Sequence, residues 1–257
     1  MHDVSVTVLC SGSGGNSVLI MHDRSGILVD AGVSCRELEK KLSLFGVEPT
    51  QIEGILLTHE HTDHTRGVKR FCADHGLPVY GTRGTLALTP LDGVTTKTIA
   101  AGSSIQLKGL VARAFKVKHL AAEPVAFSIS VGPTKVGIAS DLGSVTPSVT
   151  AEMRGSKMML IEANYDEAML VDGNYPEFLK RAIRSDHGHL SNADAGTLSL
   201  KSSTEDTDRI VLVHLSKDNN TPDKAREAVE EEIGRSKNRP LIAVVEHGGC
   251  GGPYSLA

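Results

Sequence analysis

The sequence has little of several features that mark particular classes of protein. Among its 257 residues there is no tryptophan, and four tyrosines and five phenylalanines make up the aromatic 4%. Four cysteines are scattered without a Cys-x-x-Cys pair, so neither a disulfide framework nor a thiolate zinc site is indicated. No apolar run approaches the roughly 20 residues that span a bilayer, and the first residues lack the cationic and apolar segments of an export signal. We therefore expect a cytoplasmic protein that makes no contact with a membrane.

Basic side chains are also few relative to acidic ones. The chain has 27 lysines and arginines against 31 aspartates and glutamates, a formal net charge of −4. This balance argues against a surface coated with cations for non-specific nucleic-acid binding, although a local basic patch is compatible with it. Histidine, by contrast, is abundant, with eleven residues. Because neutral imidazole is the commonest metal ligand in proteins, the histidines direct the search towards metal sites.

Predicted strands and helices run through the whole chain. Short apolar runs that end at turn residues predict strands, and apolar residues at helical spacing behind capping residues predict helices. The predicted strands cover residues 4–8, 18–21, 27–29, 52–57, 94–99, 104–107, 110–117, 125–131, 135–139, 158–161, 209–213 and 241–245, and the predicted helices 35–45, 65–75, 176–184, 191–202 and 222–233. Mixed strands with helices after each half predict an α/β protein with two sheets between outer helix layers.

The same pattern sets the expected domain organisation. No repeat, low-complexity tract or linker interrupts it, so we expect one domain over residues 1–246. Residues 247–257, which begin His-Gly-Gly-Cys-Gly-Gly-Pro, are expected to form an irregular C-terminal tail.

Four potential metal ligands occupy six positions in the segment His59-Glu60-His61-Thr62-Asp63-His64. The segment starts where a predicted buried strand ends and finishes where the next helix begins. Residues two apart on extended backbone point the same way, so His59 and His61 can share one cation. Asp63 and His64 point away from that pair as the chain turns into the helix, which suits a second cation roughly 3.5 to 4 Å away. The alternative is a solvated polar turn whose histidines are coincidental.

Further candidate ligands follow predicted strands, where distant segments can meet at one edge of a sheet. A carboxylate at Asp141 could bridge two cations that each keep room for water. The predicted ligand sets are His59, His61 and His119 for one cation and Asp63, His64 and His214 for the other. Taken singly, a strand-end histidine is more often a capping or surface residue, so these assignments depend on the first motif.

These motifs resemble the signature of the metallo-β-lactamase superfamily, in order over nearly the whole chain. Asp30 matches the first motif, residues 59–64 the second, and His119, Asp141 and His214 the third, fourth and fifth. The stretches Cys-Ser-Gly-Ser-Gly-Gly-Asn from residue 10, Ile-Glu-Ala-Asn-Tyr-Asp from 161, Gly-His-Leu-Ser-Asn from 188 and His-Leu-Ser-Lys-Asp-Asn-Asn from 214 resemble its bacterial YycJ/WalJ group. The resemblance implies a four-layer αββα sandwich of two mixed sheets flanked by helices.

The resemblance also implies an activity. Members of the YycJ/WalJ group are regarded as DNA exonucleases. The order of Glu162, His189 and His214 is similar to that in the tRNA 3′-processing nuclease RNase Z, where a glutamate and a histidine assist the leaving group. Relatives commonly carry aspartate after the third-motif histidine, whereas this chain has Leu120. That departure puts a substrate-positioning role at this position in doubt.

For phosphodiester cleavage, two cations would hold a bridging hydroxide aimed at phosphorus and neutralise the phosphate oxygens. The expected catalytic residues are Asp63, Glu162 and His189, with Glu162 orienting His189 and His189 protonating the departing oxygen. A histidine before a helix also occurs simply as support for a turn, and we leave that alternative open for His189. Asp30 is expected to orient a ligand histidine rather than to bind metal.

Two segments are candidates for binding substrate phosphate. The Gly-rich turn over residues 11–16 offers backbone N–H groups together with Ser13 and Asn16, although such turns are most often only turns. A denser set of donors follows His214 directly, namely Ser216, Lys217, Asn219 and Asn220. The basic residues Arg66, Lys69, Arg70, Lys180, Arg181 and Arg184 form a possible track for a strand backbone, but charged helix faces are usually just solvated. With so few aromatic residues, backbone recognition is favoured over base reading.

The leading hypothesis is a dinuclear metal-dependent phosphodiesterase that acts on nucleic acid, as a 5′-to-3′ DNA exonuclease. RNA processing of the RNase Z type is its nearest rival, and hydrolysis of a thioester or lactone is a second enzyme class. Di-iron redox chemistry and a metal-binding module without turnover rank lower. The donor set accepts zinc, manganese or iron, so metal identity stays open. The oligomeric state also stays open, with a homodimer as one alternative.

Overall fold

The computed structural model describes residues 4–256 as fourteen strands and nine α-helices. The elements of the first half are β1 (Val4–Cys10), β2 (Ser17–His22), β3 (Ser25–Val29), α1 (Cys35–Leu44), β4 (Ile52–Leu56), α2 (Thr62–Thr65), α3 (Val68–His75), β5 (Val79–Gly81), α4 (Arg83–Leu88), β6 (Thr96–Thr98) and β7 (Ser104–Leu107). Those of the second half are β8 (Leu110–Lys116), β9 (Val125–Val131), β10 (Thr134–Ala139), α5 (Pro147–Met153), β11 (Met158–Glu162), α6 (Glu167–Asp172), α7 (Glu177–Ile183), α8 (Asn192–Ser202), β12 (Arg209–Val213), α9 (Pro222–Ile233), β13 (Leu241–Val244) and β14 (Gly251–Leu256).

The strands form two mixed sheets of seven strands each. One has the order β14-β1-β2-β3-β4-β5-β6 and the other β13-β12-β11-β10-β9-β8-β7. In the second sheet β10 to β13 pair in parallel, while β7 to β10 pair antiparallel. Parallel strands β10, β11 and β12 therefore present their C-terminal ends at one edge, which is where ligand sites of open α/β sheets are built.

Both faces of each sheet are buried, which explains the nearly continuous apolar runs. Along β1, Val4, Val6 and Val8 face the core between the sheets, whereas Leu9 faces α1 and α3. A third apolar cluster packs the outer face of the second sheet against α5, α8 and α9. The resulting layers are helix, sheet, sheet and helix, so the predicted four-layer αββα class is confirmed. None of the described helices has the length and apolar content needed to cross a membrane.

The C-terminal segment corrects one prediction. Residues 251–256 are not irregular but form β14, which pairs antiparallel with β1 through Val4↔Leu256 and Val6↔Tyr254. Strand β1 would otherwise be an unpaired sheet edge, and β14 covers it. The Gly-Gly-Pro start of β14 lacks the alternation that identifies a half-buried strand, so the sequence pattern concealed it. The domain therefore continues to residue 256 at least, and Ala257 lies outside the described residues.

Helix boundaries differ from the prediction at the metal-ligand segment. The helix expected over 65–75 is two helices, α2 and α3, separated at Gly67. A Cβ at Gly67 would collide with the backbone oxygen of Val33, so only glycine allows the chains to approach here. The predicted strand 94–99 is reduced to Thr96–Thr98, and the short elements β5, α4, α5 and α6 were not predicted. Short elements carry too few residues for a periodicity to show.

Candidate metal centre

The centre is assembled at the ends of strands from both sheets. His59, His61, Asp63 and His64 lie on the connection from β4 through α2, His119 follows β8, Asp141 follows β10 and His214 follows β12. Asp30, Asp141 and His214 have positive φ angles of 60°, 51° and 58°. Such backbone conformations cost roughly 1–3 kcal/mol and cluster at functional sites. The strand ends thus bend sharply where each of these side chains enters the centre.

The predicted ligands form two triads, and Asp141 lies between them. In the first triad, His61 Nδ1 is 3.0 Å from His59 Nε2 and 3.4 Å from His119 Nε2. In the second, Asp63 Oδ2 is 3.6 Å from His64 Nε2 and 3.8 Å from His214 Nε2.

The carboxylate of Asp141 reaches both triads. Its Oδ2 is 3.0 Å from His64 Nε2, and its Oδ1 is 3.7 Å from both His119 Nε2 and His214 Nε2. The seven residues predicted as ligands are therefore all brought together by the fold.

Each imidazole has one ring nitrogen tied to a fixed acceptor. Nδ1 of His59 donates to Thr58 Oγ1 (3.0 Å), Nδ1 of His64 to Asp30 Oδ2 (2.7 Å), Nδ1 of His119 to the Gly188 carbonyl (3.0 Å) and Nδ1 of His214 to Glu162 Oε1 (2.9 Å). His61 is reversed, because its Nε2 donates to the Leu120 carbonyl at 3.1 Å. The other nitrogen of each ring faces the remaining candidate ligands, which is the arrangement of metal-binding histidines.

The buried polar atoms give an independent test of fit for a cation. Asp141 Oδ2 and His214 Nε2 are both buried, and neither makes a hydrogen bond within residues 4–256. Asp141 Oδ2 lies close to His64 Nε2, but without the alignment of a hydrogen bond. Leaving such atoms unsatisfied costs about 1–3 kcal/mol each, more for charged groups. Coordination to a divalent cation would satisfy both, and imidazole with carboxylate is a donor set that such ions accept.

The electrostatics of the centre also suit cations. Four carboxylates converge here, namely those of Asp30, Asp63, Asp141 and Glu162. Burial opposes ionisation of Asp141, but the imidazoles of His214 and His64 outweigh it and hold the pKa of Asp141 well below its usual value. Burial likewise opposes protonation of His214, yet the carboxylates of Asp141, Asp63 and Glu162 outweigh it and raise the pKa of His214 to about 10. The centre thus holds ionised carboxylates that attract positive charge.

Glu162 and His189 lie beside the triads. Glu162 is fully buried, and its Oε1 is 2.7 Å from His189 Nδ1 and 2.9 Å from His214 Nδ1. Its other oxygen accepts from the backbone N–H of Leu142 at 2.7 Å. Burial disfavours the charged imidazole, but the Glu162 carboxylate outweighs it and raises the pKa of His189. One carboxylate therefore orients both a predicted ligand and the predicted acid.

Asp30 lies behind the ligands rather than among them. Besides holding His64, it accepts from the backbone N–H of Thr58 at 2.9 Å and from Thr58 Oγ1 at 2.7 Å. This position supports the predicted orienting role. Sequence reasoning missed Thr58, which links Asp30 to His59, and Asn164, whose Nδ2 donates to the His214 carbonyl at 2.9 Å. Both are next to motif residues, but a hydroxyl or amide in that position carries no pattern of its own.

The predicted phosphate-binding residues separate into two groups. Ser13 and Lys217 are exposed and Ser216 is half-buried, so their donors are accessible. Asn16 is buried, and its Nδ2 lies 3.2 Å from Asp63 Oδ2 and 3.0 Å from His64 Nε2, so it supports the second triad.

Asn219 and Asn220 correct the prediction. They are only 1% and 6% exposed, and Asn220 Nδ2 donates to the carbonyls of Ala163 and Asn164. Both amides are interior groups, and that of Asn220 holds the loop after β12 against the connection after β11.

His247, in the predicted tail, lies against the Gly-rich turn instead of being loose. Its ring packs so closely on Gly12 that a Cβ there would collide with it. Gly248 N donates to the Ser11 carbonyl at 2.7 Å, which fixes this segment next to β1. A His-Gly-Gly stretch after a strand was the signal available in the sequence.

Leu120 and the expected basic track are the remaining candidates from the sequence. Leu120 is 63% exposed, but its backbone bonds to His61 Nε2 and to the His187 carbonyl. Four of the six residues of the expected basic track form ion pairs, namely Lys69 with Asp92, Arg70 with Asp74, Lys180 with Glu177 and Arg184 with Glu167.

A family model described as a β-lactamase superfamily domain matches residues 26–215, which contain all seven predicted ligands. The chain belongs to the metallo-β-lactamase superfamily. It is 34% identical over 232 residues to the exodeoxyribonuclease YycJ of Bacillus anthracis, covering 88% of each chain. It is 29% identical over 237 residues to the exodeoxyribonuclease WalJ of Streptococcus pneumoniae, covering 90% of this chain and 88% of the relative. The predicted resemblance to the YycJ/WalJ group is confirmed, and this member of the superfamily is a metal-dependent hydrolase.

Solved structures agree on the fold. The metallo-β-lactamase fold protein YhfI of Bacillus subtilis superposes with a TM-score of 0.76 at 16% identity, covering 99% of this chain and all of the other. The short form of human tRNase Z superposes with a TM-score of 0.66 at 18% identity, covering 97% and 99%. At such identities the likeness concerns the fold alone.

Replacing Asp30 with asparagine is expected to weaken binding of divalent metal about 10- to 100-fold, because the charged acceptor that orients His64 is lost. The measurement is competition with a coloured chelator. Asp23→Asn is the matched control, since Asp23 also has positive φ (52°) but lies in the turn between β2 and β3. Equal metal affinity in Asp30→Asn and the unaltered protein would remove the orienting role.

Proposed function

We propose that the protein is a dinuclear metal-dependent phosphodiesterase that degrades DNA from the 5′ end towards the 3′ end. The observation that carries the dinuclear assignment is the position of Asp141, whose carboxylate lies between the two ligand triads. A single carboxylate in that position is suited to bridge two ions. The two relatives named exodeoxyribonuclease support DNA as the substrate.

The triads would hold one cation each, through His59, His61 and His119 on one side and Asp63, His64 and His214 on the other, with Asp141 shared. Bound there, divalent cations would lower the pKa of a water nucleophile and neutralise the scissile phosphate. Asp63 belongs to the catalytic set in this assignment because its side chain is 23% exposed, whereas that of Asp141 is 4% exposed.

The protein's own acid is His189. Its Nδ1 donates to Glu162, so the ring is held in one orientation and Nε2 is left to meet the substrate. The raised pKa of His189 favours the protonated ring, whose Nε2 proton would pass to the departing oxygen of the strand. Glu162 remains ionised, because its hydrogen bonds come from two imidazoles and the Leu142 amide.

Substrate phosphate is held by Ser13, Ser216 and Lys217. Lys217 forms no ion pair within the described residues, and it lies two positions after Leu215, whose carbonyl is 3.4 Å from His247 Nδ1. Because His247 in turn packs on Gly12, the accessible donors of the loop after β12 lie near those of the Gly-rich turn. Such donors favour a phosphodiester over the carbonyl of a thioester or lactone.

Lys217→Ala is expected to raise the KM for DNA about three- to tenfold and to make the salt dependence of binding less steep by about one phosphate contact. Metal content should not change. The measurements are KM at several salt concentrations and elemental analysis. Lys237→Ala, on the loop before β13, removes the same charge away from the centre and serves as control. An unchanged salt dependence would count against a phosphate contact.

The proposed function is tested with end-labelled oligonucleotides. Metal-loaded protein should release a mononucleotide at once from DNA labelled at the 5′ end, and a chelator should stop the release. DNA labelled at the 3′ end should instead yield labelled strands that become progressively shorter. Faster cleavage of RNA would favour the RNase Z type of activity, release from the 3′ end would reverse the polarity, and rapid thioester turnover with intact DNA would refute the assignment.

A further inference from the structure

A groove opens beside the candidate metal ligand His119. It encloses about 820 Å³ and is lined by residues 116–119 and 121–124, with Ala101, Ser148 and His187 on the other walls. We call it the His119 groove. Its volume lies within the range of roughly 300–1,000 Å³ that ligand sites occupy. Because His119 is part of its wall, whatever fills the groove also borders the first ligand triad.

The end of β8 gives the groove its charge. Lys116, the last residue of β8, and Lys118, two positions later, both line the groove. Val117 and His119 are buried, whereas Lys116 is exposed and Lys118 half-buried. All four residues line the groove, His119 also reaches the centre, and the two lysines give the groove its positive charge.

These cations are available to a ligand. Lys116 makes no ion pair in the part of the chain that the structure describes. Lys118 Nζ is 3.3 Å from Asp186 Oδ2, but the side chains are 42% and 76% exposed, so solvent screens this pair and it is worth little. The one acid on the groove wall, Glu123, accepts from the Gly84 amide at 2.8 Å.

The wall is held by backbone hydrogen bonds. Leu120 N donates to the His187 carbonyl at 3.0 Å, and Gly143 N donates to the Lys118 carbonyl at 2.8 Å. Ala122 N donates to Glu60 Oε1 at 2.8 Å. A preformed groove avoids the ordering cost of binding.

The shape of the site favours a single strand as the occupant. The ligands His59 and Asp141 are only 1% and 3% exposed, so a phosphate must enter a recess to reach them. Two paired strands are too bulky for such a recess, whereas one flexible backbone can enter. The groove lining includes small apolar residues such as Ala121, Ala122 and Pro124 and has no phenylalanine, tyrosine or tryptophan, so bases are accommodated without sequence reading.

We propose that the His119 groove binds the single-stranded nucleic acid that continues from the scissile phosphate, with Lys116 and Lys118 contacting its backbone phosphates. The proposal rests on the proposed nuclease function, and it adds the path of the strand and a preference for single strands.

The test measures binding rather than cleavage. A fluorescent phosphorothioate oligothymidylate of roughly 12 nucleotides, within the span of known single-strand sites, is titrated with metal-loaded protein at several salt concentrations. The double variant Lys116→Ala/Lys118→Ala should bind about tenfold more weakly at low salt. Its log–log salt slope should be smaller by about 1.4, since each single-strand phosphate contact contributes about 0.7. Asp186→Asn, which releases Lys118, should bind more tightly.

Matched variants keep the result specific. Arg36→Ala/Lys40→Ala removes two cations from a different cavity, of about 390 Å³, next to α1 and should retain affinity. Ser148→Trp, at an exposed position of α5, places a large side chain in the groove while both lysines are kept, and it should also weaken binding. An equal loss of affinity in both double variants, or an unchanged salt slope, would overturn the proposal. It would also be overturned if the affinity for a blunt duplex depended on the two lysines as strongly as the affinity for the single strand. Strand binding through these lysines without cleavage of any DNA would contradict the nuclease function and still support the groove.

Discussion

Asp141→Asn is expected to reduce kcat/KM on DNA at least about a thousandfold. The substitution removes the charge that faces both triads, so under the proposed function the metals would lose a shared ligand and the phosphate would lose its electrostatic support. Metal content should fall below two ions per chain. The measurements are single-turnover cleavage of end-labelled DNA and elemental analysis of the purified variant.

The control for this prediction is Asp92→Asn. Asp92 is also an aspartate paired with a cation, Lys69 at 3.2 Å, but its side chain is 92% exposed. Circular dichroism of both variants checks that the fold is retained. A folded Asp141→Asn protein with near-normal metal content and activity would show that Asp141 does not bridge the two sites.

His189→Ala should slow cleavage of DNA about 10²- to 10⁴-fold, the range that general acid catalysis contributes. The loss should be much smaller for bis(p-nitrophenyl) phosphate, because p-nitrophenolate departs without a proton. The comparison therefore reports on proton transfer rather than on binding. The measurement is kcat for the two substrates in the same preparation.

His75→Ala is a matched control for His189→Ala. His75 Nε2 is 2.9 Å from Glu39 Oε1, a pair of similar length to His189 with Glu162, but it lies on the surface of α3. The control should leave both rates unchanged. A His189→Ala variant that loses the same factor on both substrates would have lost a structural support and not an acid.

The convergence of the candidate metal ligands was predictable because its signal is local or topological. His59 and His61 are two residues apart on extended chain, and His119, Asp141 and His214 each follow an apolar run that reads as a strand. Parallel strands bring such ends to one edge, so the fold had to place Asp141 and His214 together. Neither the spacing of the residues nor the strand order determines which ring nitrogen of a histidine faces the centre. That choice depends on hydrogen-bond acceptors such as the Leu120 carbonyl, which holds Nε2 of His61.

The errors have an equally physical origin. Asn219 and Asn220 are polar residues beside a ligand, which reads as a binding loop, yet Asn220 satisfies buried carbonyls of the neighbouring connection. Burial of a polar side chain depends on partners distant in sequence, so composition cannot reveal it. Strand β14 was missed for a related reason, since its pairing with β1 joins the two ends of the described chain and its glycines and proline suggest a turn.

The central claim is that two cations share Asp141 between two histidine-containing triads. Anomalous diffraction from crystals of manganese-loaded protein tests it most directly. The account predicts two peaks, one beside His59, His61 and His119 and one beside Asp63, His64 and His214, with Asp141 in contact with both. A single peak, or two peaks that do not share Asp141, would contradict it.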